Sequence, residues 1–180
     1  MRVPAFLQTR VERLEREGAV RGIVAILSDR REKTYERAHA AKALADMAAR
    51  LGESRDDAVV VLLRAADEPN EVRKWALLAL AELHEPSALP AFQRAATDGD
   101  WMIRIFAAHG FDRLRDHGSI VEVVRLLADN ESGVREAAAS ALASIGDGRV
   151  RPLLQRAAAV DPYPWVREAA KDALAALGGS

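Results

Sequence analysis

A chain of 180 residues that is 49% hydrophobic is long enough to bury a core, and its 26 basic and 27 acidic residues leave a formal charge of −1. That balance excludes a long-range field drawing the chain onto nucleic acid or an anionic membrane, so either partner would need a local patch. The lack of cysteine excludes a disulfide framework, a thiolate zinc site and a cysteine nucleophile, and it fits a reducing, cytoplasmic setting.

The first segment, PAFLQTRVERLERE at residues 4–17, carries charges every few residues and no apolar core of signal-peptide length, and it predicts a capping helix. The longest apolar run, AVVVLL at 58–63, is too short to cross a bilayer. Five helix pairs follow, in units over 19–50, 53–84, 86–116, 118–146 and 148–178 of a single domain spanning 1–180. Each unit opens with a short A helix: AVRGIVAILSD, DAVVVLLRAAD, SALPAFQRAATD, SIVEVVRLLAD and RVRPLLQRAAAVD. Pro90 and Pro152 stand where the first turn of such a helix tolerates proline. Gly52, His84, Gly118 and Gly146 to Gly148 punctuate the joints, and no strand pattern competes.

The longer B helices share a register. Arg37, Arg73, Arg104, Arg135 and Arg167 recur at intervals of 36, 31, 31 and 32 residues. Counting from each Arg, position minus one is Glu36, Val72, Ile103, Val134 and Val166, and plus three is always alanine. Plus seven is Leu44, Leu80, Phe111, Leu142 and Leu174, and plus ten is Met47, Leu83, Leu114, Ile145 and Leu177. Those offsets make one stripe on a 3.6-residue helix, so they predict the buried face. Alanine at plus three lets two backbones approach where leucine would hold them apart. Asp67, Asp98, Asp129 and Asp161 stand six residues before the Arg in four units. An Asp there suits the first free amides of helix B and can pair with an Arg, so both columns read as a structural ladder.

The run DNESGVREAAASALASIGDGRVRPLLQRAAAVD resembles a HEAT repeat of the short, phycobilisome-lyase type, and the likeness covers nearly all of residues 19–178. Unit one departs at Glu36 and in its longer linker, and unit three departs at Gly110 and Phe111, which stand for the usual Ala-Leu pair. The resemblance implies an all-α solenoid whose B helices line a concave surface, with binding as the usual role and catalysis the exception. One helix pair cannot bury its apolar face alone, so stacking must stabilise it. The family also holds a di-iron hydroxylase type with His-Glu pairs just after the Arg. Here those slots read Ala38-His39, Lys74-Trp75, Ile105-Phe106, Glu136-Ala137 and Glu168-Ala169, so neither metal nor other cofactor is expected. His39, His84, His109 and His117 show no HExxH spacing. Bilin lyase or isomerase-like, chromophore-handling work is the alternative function that the resemblance leaves open, and no active residue carries over to it by position.

The outward slots, at minus three, one, five and eight, decide between binding classes. Unit one offers Thr34, Ala38, Lys42 and Ala45, and unit two Asn70, Lys74, Leu78 and Ala81. Units three to five offer Trp101, Ile105, His109 and Asp112, then Ser132, Glu136, Ser140 and Ala143, then Pro164, Glu168, Asp172 and Ala175. Two lysines at one end and carboxylates at the other make no phosphate track, which argues against nucleic acid. Trp101 and Ile105 with Met102 beside them, Leu78, and Trp75 and Phe106 at plus two form instead an apolar patch, rimmed by Lys42, Lys74 and His109. Such a patch predicts a protein or peptide partner, or a homodimer, held on the concave face of units two and three by a non-catalytic scaffold or adaptor.

Overall fold

The computed structural model describes residues 9–69 and 71–178. Its elements in order are α1 (Arg10–Arg16), α2 (Val20–Ser28), α3 (Thr34–Asp46), α4 (Arg55–Ala65), α5 (Glu71–Glu82), α6 (Leu89–Ala95), α7 (Trp101–Leu114), α8 (Ile120–Leu127), α9 (Ser132–Ile145), α10 (Arg151–Val160) and α11 (Pro164–Gly178). No strand occurs among the described residues. The ten helices from α2 onward are the five A–B pairs that the register predicts, and each A helix packs on the B helix that follows it. The contacts divide the chain into two compact units, Met1–Glu85 and Pro86–Ser180.

In the first unit α1 begins where Thr9 permits. The Thr9 hydroxyl accepts from the Glu12 amide at 3.2 Å while Glu12 Oε2 accepts from the Thr9 amide at 2.9 Å, a reciprocal cap that fixes the helix start. The expected cap over 4–17 is therefore a helix over Arg10–Arg16, and residues 4–8 lie outside the described residues. α1 lies against α2 and α3, with Leu14 seated on Gly22, where an added Cβ would come within 2.9 Å of Leu14 Cδ2. α3 then has α1, α2 and α5 packed on it. Ala38 and Ala45, expected to face outward, are buried on this crowded helix, and so is Ala81 on α5.

In the second unit α7, α9 and α11 lie side by side, each in close contact with the next, whereas no two of α6, α8 and α10 come into comparable contact among the described residues. The alanine column explains the close approach: Ala107, Ala138 and Ala170 are fully buried, as are their counterparts Ala40 and Ala76 in the first unit. Val134, Val166, Phe111 and Leu142 complete the buried stripe. Leu114, Leu174 and Leu177 are only half-buried, and on α11 the reason is that no further B helix packs beyond it among the described residues.

Unit three departs from the repeat by a compensated exchange. Its A helix carries Phe92 where α10 has Leu154, two residues after the proline in each case, and its B helix carries Gly110 where α9 and α11 have Ala141 and Ala173. Phe92 lies edge-on to Phe111, with ring centroids 6.4 Å apart, and both rings are fully buried. A Cβ at position 110 would lie 2.5 Å from Cγ of Phe92, so the missing methyl makes the room that the ring occupies.

Within each compact part of the chain the ladder links consecutive repeats. Arg104 Nε and Nη2 donate to Asp129 at 2.7 and 2.8 Å, and Arg135 Nε and Nη2 donate to Asp161 at 2.7 and 3.0 Å. Each guanidinium thus forks onto the Asp that precedes the next B helix. Its Nη1 turns back to the carbonyls six and five residues before it, Asp98 and Gly99 for Arg104, Asp129 and Asn130 for Arg135, Asp161 and Pro162 for Arg167. Asp98, Asp129 and Asp161 accept from the amides of Asp100, Glu131 and Tyr163, so each closes the turn ahead of helix B and does not cap the helix itself. Capping of α7 falls to Asp100, which accepts from the Met102 amide at 2.9 Å. In the first unit Arg37 donates to Glu68 at 2.7 and 2.6 Å.

Candidate protein-binding surface

The expected patch residues fall in both compact units, and each unit presents its own part. In the first, Lys42 on α3 and Lys74, Trp75 and Leu78 on α5 are half-buried. Lys42 donates to Asp46 at 2.5 Å and lies 5.9 Å from the centre of the Trp75 ring; Lys74 donates to Glu71 at 2.7 Å. Both lysines are thus held by carboxylates of their own helices, which spends much of the basic rim locally.

In the second unit the other five residues lie along one strip of α7. Trp101 is 45% exposed and Met102 37% exposed, while Ile105, Phe106 and His109 are half-buried. Trp101 is the first residue of the helix, held in place by the Asp100 cap, so its ring projects from a fixed backbone. Ile105 is less free than its outward slot implies. Its Cδ1 lies 3.2 Å from where Gly133 would carry a Cβ, so the side chain leans on the first turn of α9. The residues of this strip that offer most apolar area to water are therefore Trp101 and Met102, with Ile105 and Phe106 below them. An exposed aromatic on a rigid base is the usual form of a binding anchor.

A second feature escaped the sequence pattern. A groove of about 540 Å³ opens in the same unit, lined by Glu136, Ser140, Ala143 and Ser144 of α9, by Trp165, Glu168, Ala169, Asp172, Ala173 and Ala176 of α11, and by Asp112 of α7. Glu136, Ser140, Glu168 and Asp172 were legible as outward slots, but Trp165 stands at minus two, between the two stripes. Its ring is 47% exposed and tilts against Tyr163 with centroids 4.8 Å apart, and the Arg135 guanidinium lies 5.6 Å from the centre of the Tyr163 ring. The ladder and the groove wall thus share one aromatic pair.

The electrostatics of the surface are set by the ladder. Arg135 beside Asp161 holds its carboxyl below the usual carboxylate range, against the opposing effect of burial, with help from the Tyr163 amide. For Asp129 burial pushes upward, yet the hydrogen bonds from Arg104 and the Glu131 amide win and the carboxyl is lowered. Asp147, in the turn before α10, is lowered to about 2 by the side chain and amide of Arg149. No group of three or more His, Asp or Glu side chains among the described residues could hold a metal ion, and no helix there is long and apolar enough to cross a membrane. His39 lies 3.4 Å from the Thr9 hydroxyl, and His84, at φ 49°, ends α5 in a joint.

Comparison with known proteins agrees with this architecture. The structure is similar to a designed armadillo repeat protein in complex with the peptide (KR)4, at 20% identity over 93% of this chain and 85% of that chain, with a TM-score of 0.72. It is similar to the complex of CpcE and CpcF of phycocyanin lyase from Nostoc, at 21% identity over 100% of this chain and 70% of that one, with a TM-score of 0.81. It is also similar to human deoxyhypusine hydroxylase, at 19% identity over 94% and 77%, with a TM-score of 0.57. At these identities the likenesses establish a repeat-solenoid fold and no activity. No curated protein matches the sequence. The family model for HEAT repeats matches residues 59–132 and 91–175, which together take in more than half of the chain. The chain is a member of the HEAT-repeat family.

Proposed function

We propose that this protein is a non-catalytic scaffold or adaptor that holds a protein partner on the exposed face of its B helices, with Trp101 and Met102 of α7 as anchors. The observation that carries the reading is the pair of exposed apolar side chains at the start of a helix whose opposite face is fully packed. Their removal from water gains nothing for the fold, and in a complex it would gain the transfer free energy of a large aromatic and a thioether. The first unit presents a patch of its own in Trp75 and Leu78 of α5, with the Lys42 ammonium 5.9 Å from the centre of the Trp75 ring. A repeat protein of the same fold that holds a peptide supports the reading. A second copy of the chain is the other partner that such a face admits.

The test is a variant that removes the anchors and spares Ile105. Trp101→Ala combined with Met102→Ala is expected to leave the circular dichroism spectrum unchanged and to shift stability by no more than about 0.5 kcal/mol, as exposed positions do. Binding to the partner captured from native lysate by the unaltered protein, or self-association in sedimentation, is expected to weaken at least tenfold. Unchanged binding by the folded variant would remove α7 from the site.

A second reading, bilin handling, is favoured by the likeness to the phycocyanin lyase complex over the whole chain. It expects a change in the absorbance of added bilin, which an adaptor of the kind proposed does not produce.

A further inference from the structure

We propose that the groove between α9 and α11 docks an extended segment bearing arginine or lysine at alternate positions. This deepens the protein-binding reading and rests on it, by naming the chemistry of one partner segment and the wall that receives it. The argument starts with the shape. Ala143, Ala169, Ala173 and Ala176 lie along the groove with no side chain beyond Cβ, so a chain can approach the helices closely. The alanines on the packed side of these helices draw α9 and α11 together, and those on the open side leave the groove empty.

Charge then selects the occupant. Four carboxylates line the groove, from Asp112, Glu136, Glu168 and Asp172, and no Lys, Arg or His stands among its lining residues. In a chain with a net charge of −1 this is a local concentration, and a concave wall focuses it. Lys171 does not cancel it: it meets Glu168 at 3.1 Å, but that pair is more than half exposed on both sides, where ion pairs exchange easily with water. Asp112 accepts the Ser144 hydroxyl and keeps lone pairs to spare. A phosphate backbone, an anionic membrane and an acidic peptide are all repelled by such a wall. A divalent cation is no better served, since no three of these groups come together as ligands.

Trp165 converts a general attraction to cations into a preference for a particular kind. A guanidinium can lie flat on an indole ring while its edge donates two parallel hydrogen bonds to a carboxylate, and Trp165 stands in the same wall as Glu136 and Glu168. The ring is already steadied by Tyr163, which the Arg135 guanidinium covers in turn, so little freedom remains to be lost on binding. Spacing supplies the alternation. Glu168 and Asp172 are four residues apart on one helix, a rise of about 6 Å. Every second side chain of an extended segment repeats at about 6.6 Å on the same face. A basic residue that meets Glu168 and Trp165 therefore places the next but one beside Asp172.

The experiment uses the full chain and a fluorescein-labelled octapeptide of alternating arginine and serine, followed by anisotropy at 50 and 500 mM NaCl. A glutamate–serine octapeptide serves as the control. Saturable one-to-one binding of the arginine peptide alone, weaker at high salt, is the expected result. Glu136→Gln with Asp172→Asn should weaken it at least tenfold, and Trp165→Ala at least threefold, with melting curves confirming that both variants are folded. Removing the same number of charges elsewhere, at the exposed Asp56 and Asp57 of α4, should leave affinity unchanged. No binding of the arginine peptide at 50 mM salt, or equal losses from the groove and the α4 variants, would overturn the groove proposal. The α7 reading is judged separately, because it stands or falls on partner binding by the Trp101 and Met102 variant, whatever the octapeptide does.

Discussion

Replacing Arg135 by alanine is expected to lower the free energy of unfolding by about 3 kcal/mol, the range found when one partner of a buried ion pair is removed. The side chains of Arg135 and Asp161 are only 11% and 8% exposed, so water cannot replace the lost guanidinium around the carboxylate. The same change releases the carbonyls of Asp129 and Asn130 and uncovers the Tyr163 ring. The effect should depend on pH in a stated direction. Asp161 has its folded pKa lowered from 3.8 chiefly by Arg135. A carboxyl so lowered contributes stability that is fully present above the unfolded value and is lost as pH falls through the folded one. The gap between the unaltered protein and the variant should therefore be steady from pH 7 to about 5 and should narrow as pH drops below about 4. Urea unfolding at pH 7 and at pH 3 measures it. A loss under about 1 kcal/mol at pH 7 would show that the ladder is ornamental to the fold, and a gap that does not narrow in acid would show that the ion pair with Asp161 is not what stabilises it.

A single methyl group added to α7, in Gly110→Ala, should destabilise the protein by about 2 kcal/mol. Two effects compete. Alanine in place of glycine within a helix favours folding by about 1 kcal/mol. Against it, the new Cβ would fall 2.5 Å from Cγ and Cε1 of Phe92, a fully buried ring that Phe111 blocks on another side. Overpacking of this kind typically costs about 1–3 kcal/mol and more when nothing can yield, so the clash wins. Phe92→Leu, the residue that α10 uses at the matching place, should relieve it. The double variant is expected to be more stable than the sum of the two single losses by at least about 1 kcal/mol, the signature of a direct contact. Additive losses would mean that the glycine is there for another reason.

What the sequence made legible was whatever repeats. An arginine recurring every 31 to 36 residues, with alanine three residues on and a leucine or phenylalanine two turns on, states the register of a packed helix five times over, and the helix pairs follow from it. The ladder partners were legible to within one residue: Asp129 and Asp161 by their offset, whereas Arg37 takes Glu68, the residue after Asp67. Features made by two repeats at once were not legible. Ile105 shares a stripe with exposed residues, yet it leans on Gly133 of the next B helix, which no helical wheel of α7 contains. Trp165 lies between the inward and outward stripes and gains its meaning from the carboxylates of α9. The exchange of Ala for Gly at position 110 read as a weak unit until Phe92, eighteen residues earlier, accounted for the space.

The central claim is that the exposed B-helix face, and not the A-helix side, meets the partner. Site-specific photocrosslinking tests it most directly: a benzophenone amino acid placed at Trp101 of α7, and in a second protein at the still more exposed Val121 of α8, each irradiated in native lysate. The account predicts a discrete crosslinked protein, or a crosslinked dimer of this chain, from position 101 and none from position 121. A product from position 121 alone would contradict it and move the binding surface to the A helices.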